Sequence, residues 1–222
     1  MSEFNYVSTF KNAWSEGFKH ASNGLEWRTG GRKSKAYPNG EDPDWWDTHG
    51  PDMVLNWIKW RTDSGFRMVD VDGKPAIELE LIGELGGVPI RAFIDRLMVN
   101  RDGEYVIVDL KTGSREPGSK TQLGVYALLL KKCLNIDVKY GAYWMARTGE
   151  LSELYEVDNY TEEVLGNWLK SFQKAVLNDI FIPNTSALCK TCGVNYACYM
   201  YNKDASKNYP PLDIEGENNV SQ

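Results

Sequence analysis

The sequence predicts a mixed α/β fold, with a central sheet of four to five strands flanked by helices. Three observations predict it. Apolar and charged residues alternate strictly in the middle of the chain, which is typical of half-buried strands. Turn-forming residues separate these segments from one another. Apolar residues at helical spacing mark the segments before and after them, and 222 residues are enough for one substantial domain.

Two helices are predicted before the sheet. In residues 5–21 aromatic residues recur every four positions, and this spacing gives a helix one apolar face. Residues 28–49 are rich in glycine, proline and polar residues, which indicates a long loop. A second helix fits residues 50–61, because Pro51 would then occupy the first turn, where its missing N–H costs nothing.

Four strands are predicted to form the sheet: residues 76–85, 88–99, 105–112 and 137–147. Gly86-Gly87 indicates a tight hairpin between the first two strands. Residues 100–104 form the next turn, so the first three strands are expected to make an antiparallel meander. Residues 149–157 are interpreted as a short hairpin return after the fourth strand.

Two further helices are predicted to follow the meander. Residues 119–135 are largely apolar and are expected to pack on the sheet. Residues 161–179 predict a helix that Thr161 caps, with acidic residues in its first turn that suit the helix dipole. We predict a single domain over residues 1–202, with a helical part at 1–65, a core at 66–180 and a cysteine-bearing segment at 186–200. Residues 203–222 are polar and are predicted to be disordered.

Net charge and hydropathy limit the classes of partner. A net charge of −6 argues against a general polyanion-binding protein, but it leaves room for a local basic track. Residues 27–35 are the candidate track, with an ordinary solvated loop as the alternative; its basic residues are Arg28, Arg32, Lys33 and Lys35.

Trp45-Trp46, in the predicted loop, either stack on unpaired bases or fill a hydrophobic gap. No apolar run reaches the roughly 20 residues of a membrane span, and no secretory signal is apparent, so we expect a cytoplasmic protein without a membrane partner.

An acid and a lysine leave the third strand on one face. Asp109 and Lys111 are two residues apart, and residues at this spacing in a strand point to the same side. The pair is either a salt bridge at a strand end or part of an active site. Phosphodiester hydrolysis would use both groups, because carboxylates hold a divalent cation and a lysine eases hydroxide formation or stabilises charge on phosphorus. The further carboxylates available are Asp95 on the second strand and Glu78 and Glu80 on the first.

Three stretches in this region resemble one enzyme family. "FIDRL", "YVIVDLKTG" and "QLGVYALLL" follow one another as in the RecB-like branch of the PD-(D/E)XK nuclease superfamily. The resemblance implies a restriction-endonuclease-like core and a nuclease that uses Mg²⁺ or Mn²⁺. It implies metal binding by Asp95, Asp109 and Glu80 (with Glu78 close behind), a catalytic role for Lys111, and supporting roles for Gln122 and Tyr126, which share one helical face. Ile94 stands where the superfamily's name has proline.

The resemblance also implies a substrate and a cellular setting. It implies a metal-dependent deoxyribonuclease, an exonuclease acting on DNA ends or single strands, in recombination, repair or phage DNA processing. The expected partners are DNA and a helicase or recombination protein, in a bacterial or phage-infected host cell.

One alternative is a nuclease-fold subunit that holds DNA or a partner protein without cutting, although such homologues tend to lose the Asp-x-Lys pair. Another is a structural, metal-stapled domain with solvated acids. His20 and His49 are the candidates for the family's histidine.

Three of the four cysteines form a cluster near the C-terminal end. Cys189, Cys192 and Cys198 have the spacing C-x2-C-x5-C, which in a cytosolic protein suggests a metal site more than disulfides. The cluster resembles the triad that holds a 4Fe–4S cluster in RecB-like nucleases, including CRISPR-associated iron–sulfur exonucleases and AddB-like nucleases. The fourth ligand is unidentified, and the alternatives are a Zn²⁺ site completed by His20 or no metal at all. Cys133 is predicted to be a buried thiol.

Overall fold

The structure is a computed structural model that describes residues 5–21, 35, 38, 40–180, 184–186, 189, 192, 194–196, 198 and 200. The side chains of residues 18–21 are outside this description. The predicted tail at 203–222 also lies outside the described residues. The chain divides into two compact units, Met1–Lys170 and Ser171–Gln222, and the domain bounds taken from the sequence stay a prediction.

The described residues form four helices and nine strands. The helices are α1 (Tyr6–Ala21), α2 (Pro43–Asp63), α3 (Thr121–Leu134) and α4 (Glu162–Leu177). The strands are β1 (Arg67–Met68), β2 (Asp70–Val71), β3 (Lys74–Pro75), β4 (Ile77–Leu85), β5 (Val88–Val99), β6 (Tyr105–Lys111), β7 (Tyr140–Met145), β8 (Glu150–Leu151) and β9 (Tyr155–Glu156). None of the described helices is long and apolar enough to cross a membrane.

The predicted α/β fold is confirmed, and its central sheet is mixed and has seven strands where four to five were predicted. Strands β4, β5 and β6 form the antiparallel meander. Strand β7 lies beside β6 in parallel orientation, because α3 carries the chain back along the sheet, and a parallel pair needs such a crossover. The short strands β1, β8 and β9 border these four long strands and extend the sheet to seven, while β2 and β3 pair separately.

Helix α2 begins earlier than the sequence predicted. The carboxylate of Asp42 caps its first turn by accepting a hydrogen bond of 3.0 Å from the Trp45 N–H, and Pro43 occupies the first helical position. Pro51, which we expected in the first turn, lies inside the helix. The prediction of a loop over residues 43–49 is therefore wrong, because Asp42 caps the helix and Pro43 begins it, well before Pro51.

The sheet has an apolar core on each face, and alternation along β6 assigns residues to them. Ile107 packs in the core on the α3 side, whereas Val108 packs in the core on the α2 side. Because successive strand residues point to opposite faces, Asp109 and Lys111 share the α3 side with Ile107. The Asp-x-Lys pair therefore lies between the sheet and the start of α3.

The two neighbouring tryptophans of α2 belong to the second core. Trp45 is buried there, and Trp46 packs against the same cluster. Their rings meet edge to face with centroids 5.1 Å apart, an arrangement that aromatic pairs favour. Of the two interpretations of this pair, the structure supports filling of a hydrophobic gap.

Candidate active site

Two carboxylates stand opposite each other at the end of the β5–β6 ladder. The paired register runs from Val99 and Tyr105 to Arg96 and Val108, so the next step sets Asp95 opposite Asp109. There the Asp95 Oδ2 atom accepts a hydrogen bond of 2.7 Å from the Leu110 N–H. Asp95 thus ties itself to the neighbouring strand through its side chain. The strand register therefore sets the position of these two acids across the meander.

Asp109 is a buried acid with an incompletely satisfied oxygen. Its side chain is 1% exposed, and the Lys111 Nζ atom lies 2.6 Å from its Oδ2. This contact is an ion pair, while Oδ2 has no hydrogen bond of ordinary geometry within the described part of the chain. Burial raises the pKa of Asp109, the bond with Lys111 opposes the rise, and the charge of Asp95 adds to it. A buried anionic oxygen of this kind favours a cation as neighbour.

A hydrogen-bond chain runs from the lysine into α3. The Lys111 Nζ atom donates to Gln122 Oε1 over 3.3 Å, and Gln122 Nε2 donates to Tyr126 Oη over 2.7 Å. Gln122 and Tyr126 lie one helical turn apart, so both face β6 from the same side of α3. Burial raises the pKa of the Tyr126 hydroxyl, which therefore stays protonated near neutral pH. Five of the six sequence-predicted catalytic residues are brought together in this way, and their roles stay a prediction.

The structure sets the remaining acid, Glu80, apart from this group. Glu80 lies opposite Phe93 in the β4–β5 register, and its Oε1 atom forms an ion pair of 2.5 Å with Arg91 Nε. Ile77 pairs with Arg96 and Leu79 with Ile94, so the residue that faces Asp95 is Glu78.

The backbone at Glu78 is left-handed, with φ of 49°, and its charge contributes to raising the pKa of Asp109. A sequence signal for this placement existed. A two-residue Gly86-Gly87 loop pairs Leu85 with Val88, and counting back along both strands from that pair reaches Glu78 and Asp95.

Arg96 is a site residue to which the sequence analysis gave no role. Its Nη1 atom donates to the Asp95 carbonyl oxygen over 2.5 Å and lies 3.7 Å from Glu78 Oε1. Its guanidinium carbon lies 5.8 Å from the centre of the Trp57 ring on α2. Burial lowers the pKa of Arg96, although Glu78 and Asp95 oppose this effect. Arg96 therefore links the two acids to the helix on the other side of the sheet.

Of the two candidate histidines, only the side chain of His49 is described by the structure. His49 belongs to α2, stacks on Trp45 with ring centres 4.3 Å apart, and its Nδ1 atom lies 2.8 Å from the Trp45 carbonyl oxygen. It borders a cavity of about 190 Å³, whose other lining residues are Trp45, Asp52, Met53, Asn56 and Arg147. His20 lies in α1, with its side chain outside the described residues. Neither assignment as the family histidine goes beyond a prediction.

The predicted basic track lies largely outside the described residues. Of its four members only Lys35 is described, and it is exposed; Arg28, Arg32 and Lys33 are not described. DNA binding by this segment stays a prediction.

The cysteine segment is described only at scattered positions. Cys189, Cys192 and Cys198 are half-buried, and the Ser186 N–H lies 3.2 Å from the Cys189 Sγ atom. Among the residues with described positions, no three histidine, cysteine or acidic side chains converge as metal ligands. The iron–sulfur and zinc hypotheses therefore have no support from the structure and stay predictions.

Cys133 differs from the prediction of a buried thiol. It is exposed in the last turn of α3, and its Sγ atom lies 3.6 Å from the Ile82 carbonyl oxygen. The prediction is wrong because the apolar face of α3 points to the sheet earlier in the helix, where Leu129 and Leu130 are buried.

Comparison with known proteins bears on the same residues. A sequence model of the PD-(D/E)XK nuclease superfamily matches residues 9–199, a range that contains every carboxylate, amine and amide group of the site. The Gene 69 protein of Mycobacterium phage D29 is 31% identical over 180 residues, covering 71% of this chain and 66% of that protein. The Gene 69 protein of Mycobacterium phage L5 is 28% identical over 199 residues, covering 71% and 68%. The chain thus spans about two thirds of the length of these relatives.

Solved structures give a more distant likeness. A protein from Eubacterium rectale matches 88% of this chain and 76% of its own at 16% identity, with a TM-score of 0.45. SSO0001 matches 91% of this chain and 88% of its own at 14% identity, with a TM-score of 0.44. The assignment rests on the family match, which extends over most of the sequence and includes the Asp95, Asp109 and Lys111 cluster. The chain belongs to the PD-(D/E)XK nuclease superfamily.

Proposed function

We propose that this protein is a metal-dependent deoxyribonuclease that hydrolyses phosphodiester bonds, as an exonuclease on DNA ends or single strands. The observation that carries the proposal is the group formed by Asp95, Asp109 and Lys111. Two carboxylates face each other across a ladder, and an ammonium lies 2.6 Å from one of them. Phosphodiester hydrolysis requires negative groups for a cation and a positive group for the developing charge, and this cluster provides both.

The donor set at the site fits a hard divalent cation such as Mg²⁺ or Mn²⁺. Asp95 and Asp109 would hold the cation, because carboxylate oxygens are the ligands that such ions prefer. The buried Asp109 Oδ2 atom lies 2.6 Å from the Lys111 ammonium but lacks a well-aligned hydrogen bond in the described part of the chain, so it keeps lone pairs for a metal ion. Glu78 faces Asp95 in the register, but no three acidic side chains converge as ligands among the described residues, so we assign Glu78 a supporting role beside the pair. When bound, such an ion polarises a phosphoryl oxygen and makes a water molecule more acidic.

The protein's own residues orient the lysine for its part of the reaction. Gln122 accepts from the Lys111 ammonium, and Tyr126 in turn accepts from the Gln122 amide. These two hydrogen bonds fix the Lys111 ammonium beside Asp109. There the ammonium favours the ionised carboxylate, and it can stabilise a negatively charged phosphoryl group. The lysine is 28% exposed, so a phosphate approaching from solvent reaches it without rearrangement of the core.

The proposal extends to the cellular role and to a second metal site at the cysteine cluster. Two phage proteins are among the relatives, which favours phage DNA processing over cellular recombination or repair, with a helicase or recombination protein as partner. Within the proposal, the basic residues of segment 27–35 bind the DNA backbone. An iron–sulfur cluster at Cys189, Cys192 and Cys198, or Zn²⁺ in its place, remains part of the hypothesis.

The second candidate function is a nuclease-fold subunit that binds DNA or a protein without cutting. It is disfavoured because such a protein has no need to hold Lys111 in place, whereas this chain uses Gln122 and Asp109 to do so.

End-labelled single- and double-stranded DNA, incubated with the protein and Mn²⁺, tests the proposal. We expect wild-type protein to release labelled products and Lys111→Ala to lose at least about 100-fold in rate, as for removal of one charge-stabilising group. The matched control is Lys131→Ala, which removes a lysine paired with Asp137 at the far end of α3. Equal cleavage by wild-type protein and Lys111→Ala, or binding of DNA without cleavage, would reject the catalytic role.

A further inference from the structure

The segment between β6 and α3 is held by a cluster of four side chains. Glu116 and Lys120 belong to this segment, whereas Tyr143 lies on β7 and Tyr155 on β9. We call this cluster the loop clamp. It joins the strand that carries Lys111 to the helix that carries Gln122, and none of its members belongs to the sequence-predicted site.

Lys120 is the centre of the loop clamp. Its Nζ atom lies 3.8 Å from the centre of the Tyr155 ring and 4.8 Å from the centre of the Tyr143 ring. The same atom forms an ion pair with Glu116 and donates to the Pro117 carbonyl oxygen over 3.0 Å. Cation–π contacts and an ion pair together fix an ammonium far better than one exposed pair does. With its charge engaged on these sides, Lys120 is poorly placed to bind phosphate.

Two hydroxyl groups complete the clamp from the sheet. Tyr155 Oη donates to Glu116 Oε1 over 2.6 Å, and Tyr143 Oη donates to the Ser119 carbonyl oxygen over 2.9 Å. The Thr121 N–H at the start of α3 lies 3.2 Å from Ser119 Oγ. Burial raises the pKa of Tyr143 to about 12, so its hydroxyl remains a donor near neutral pH.

The clamp connects directly to the proposed catalytic group. Lys120 is the residue before the first residue of α3, and Gln122 follows two positions later and accepts from Lys111. Tyr143 is the register partner of Asp109 in the parallel β6–β7 ladder, and its ring centre lies 5.7 Å from the Lys111 Nζ atom. One tyrosine ring is therefore shared between the clamp lysine and the site lysine.

We propose that Lys120 is a positioning residue, which fixes the first turn of α3 so that Gln122 holds the Lys111 ammonium beside Asp109. The inference rests on the proposed nuclease function. Lys120 acts through Gln122 and does not touch the substrate. Misplacement of a catalytic group by about 1 Å costs up to about 100-fold in rate, so a loosened first turn is expected to slow the reaction and leave DNA binding intact.

Steady-state cleavage of a short labelled DNA separates positioning from binding. We expect Lys120→Met, which keeps the stem over the tyrosine rings, to lower kcat about 10- to 100-fold with KM within about twofold of wild type. Lys120→Arg should restore most of kcat, because a guanidinium also pairs with Glu116 and stacks on aromatic rings. Lys131→Met, on the same helix, is the control and should match wild type. A raised KM with unchanged kcat, or no change in either constant, would overturn the inference.

Hydrogen–deuterium exchange gives a measurement that does not depend on activity. We expect the amides of residues 112–123 to exchange faster in Lys120→Met than in Lys131→Met, with the rest of α3 equally protected. Unchanged exchange in that segment overturns the clamp even if cleavage is slow. If this segment exchanges faster in Lys120→Met but wild-type protein does not cleave DNA, the result supports the clamp and rejects the nuclease function. If Lys120→Met does not fold, Tyr155→Phe keeps the ring under Lys120 and removes the hydroxyl that bonds Glu116 and Lys120, and the same expectations apply to it with a smaller fall in kcat.

Discussion

Glu78 differs from the other strand carboxylates in its backbone. Its φ of 49° lies in the left-handed region, which costs an ordinary residue of order 1–3 kcal/mol. The residue stands opposite Asp95, and Arg96 lies 3.7 Å from its carboxylate. A strained backbone that persists next to an acid pair is typical of a functional position.

Substitution of Glu78 tests this interpretation. We expect Glu78→Gln to lower kcat/KM for DNA cleavage about 10- to 100-fold, as for loss of a group that supports a metal site. Glu80→Gln is the matched control on the same strand, and it breaks only an exposed ion pair with Arg91, so the rate should stay within about twofold. Initial rates across a Mn²⁺ series measure both variants. The reverse pattern would assign the upstream acid to Glu80.

Asp109 gives the protein a defined dependence of stability on pH. Burial raises the pKa of this carboxyl in the folded state, so the folded protein binds the proton more tightly than the unfolded chain. The contribution of Asp109 to the free energy of unfolding therefore falls as pH rises from the unfolded pKa of about 3.9 through the higher folded pKa, and this contribution changes no further above that.

We expect Asp109→Asn to raise the free energy of unfolding at pH 7, and the gain to disappear at about pH 3, where both states of the wild-type carboxyl are protonated. Urea unfolding with chelator present, at both pH values, measures the difference. Asp102→Asn, in the exposed turn after β5, is the control without such a gain. A gain of equal size at both pH values would contradict the assignment of the raised pKa to Asp109.

At the scale of single elements, the start of α2 depends on one capping side chain. The Asp42 carboxylate accepts from the Trp45 N–H over 3.0 Å, which anchors the turn that places Trp45 in the core. We expect Asp42→Ala to lower the free energy of unfolding by about 1 kcal/mol, the usual cost of a lost cap. Urea unfolding of this variant beside Asp47→Ala, an exposed aspartate in the same helix, measures the cap alone. Equal stability of the two variants would mean that Pro43 suffices to start the helix.

The elements that the sequence predicted correctly are those with strong local patterns. The strict alternation in β4 and the Gly86-Gly87 turn identified the hairpin, and the apolar run of α3 identified the helix on the sheet. The start of α2 was missed because two prolines, Pro43 and Pro51, both suit a first turn, and only the cap at Asp42 decides between them.

For the site, local patterns identified Asp109 with Lys111, since both lie on one strand. The acid from β4 was harder to place, because Glu78 and Glu80 have the same parity and differ only in register. The positive φ of Glu78 and the guanidinium contacts of Arg96 depend on neighbours far along the chain. No local pattern carries that information.

At the scale of the whole molecule, the net charge of −6 opposes binding to a phosphate backbone. Three lysines between residues 120 and 132 are already paired with acids of the same chain: Lys120, Lys131 and Lys132. The attraction for DNA must therefore come from other cations. Residues 27–35 hold four basic residues within a short segment, which makes this segment the best candidate.

We expect simultaneous alanine substitution of this segment (Arg28, Arg32, Lys33 and Lys35) to raise KM at least about tenfold and to leave kcat unchanged. The dependence of log KM on log salt concentration should become shallower by up to about 3 for single-stranded DNA, since each phosphate contact contributes about 0.7. Cleavage rates between 50 and 200 mM salt, about the range in which such contacts are lost, measure both effects. Lys131→Ala combined with Lys132→Ala is the control, and an equal effect there would mean that only total charge matters.

The Gly86-Gly87 hairpin has a consequence for how members of this superfamily are compared. The register that it imposes decides which side chain meets Asp95, because Glu78 reaches that position by its distance from the turn. A single insertion or deletion between Glu78 and the turn would rotate this acid to the opposite face, while every motif letter stayed intact in an alignment. The catalytic competence of a relative should therefore be judged from the length of this hairpin as well as from its sequence motifs.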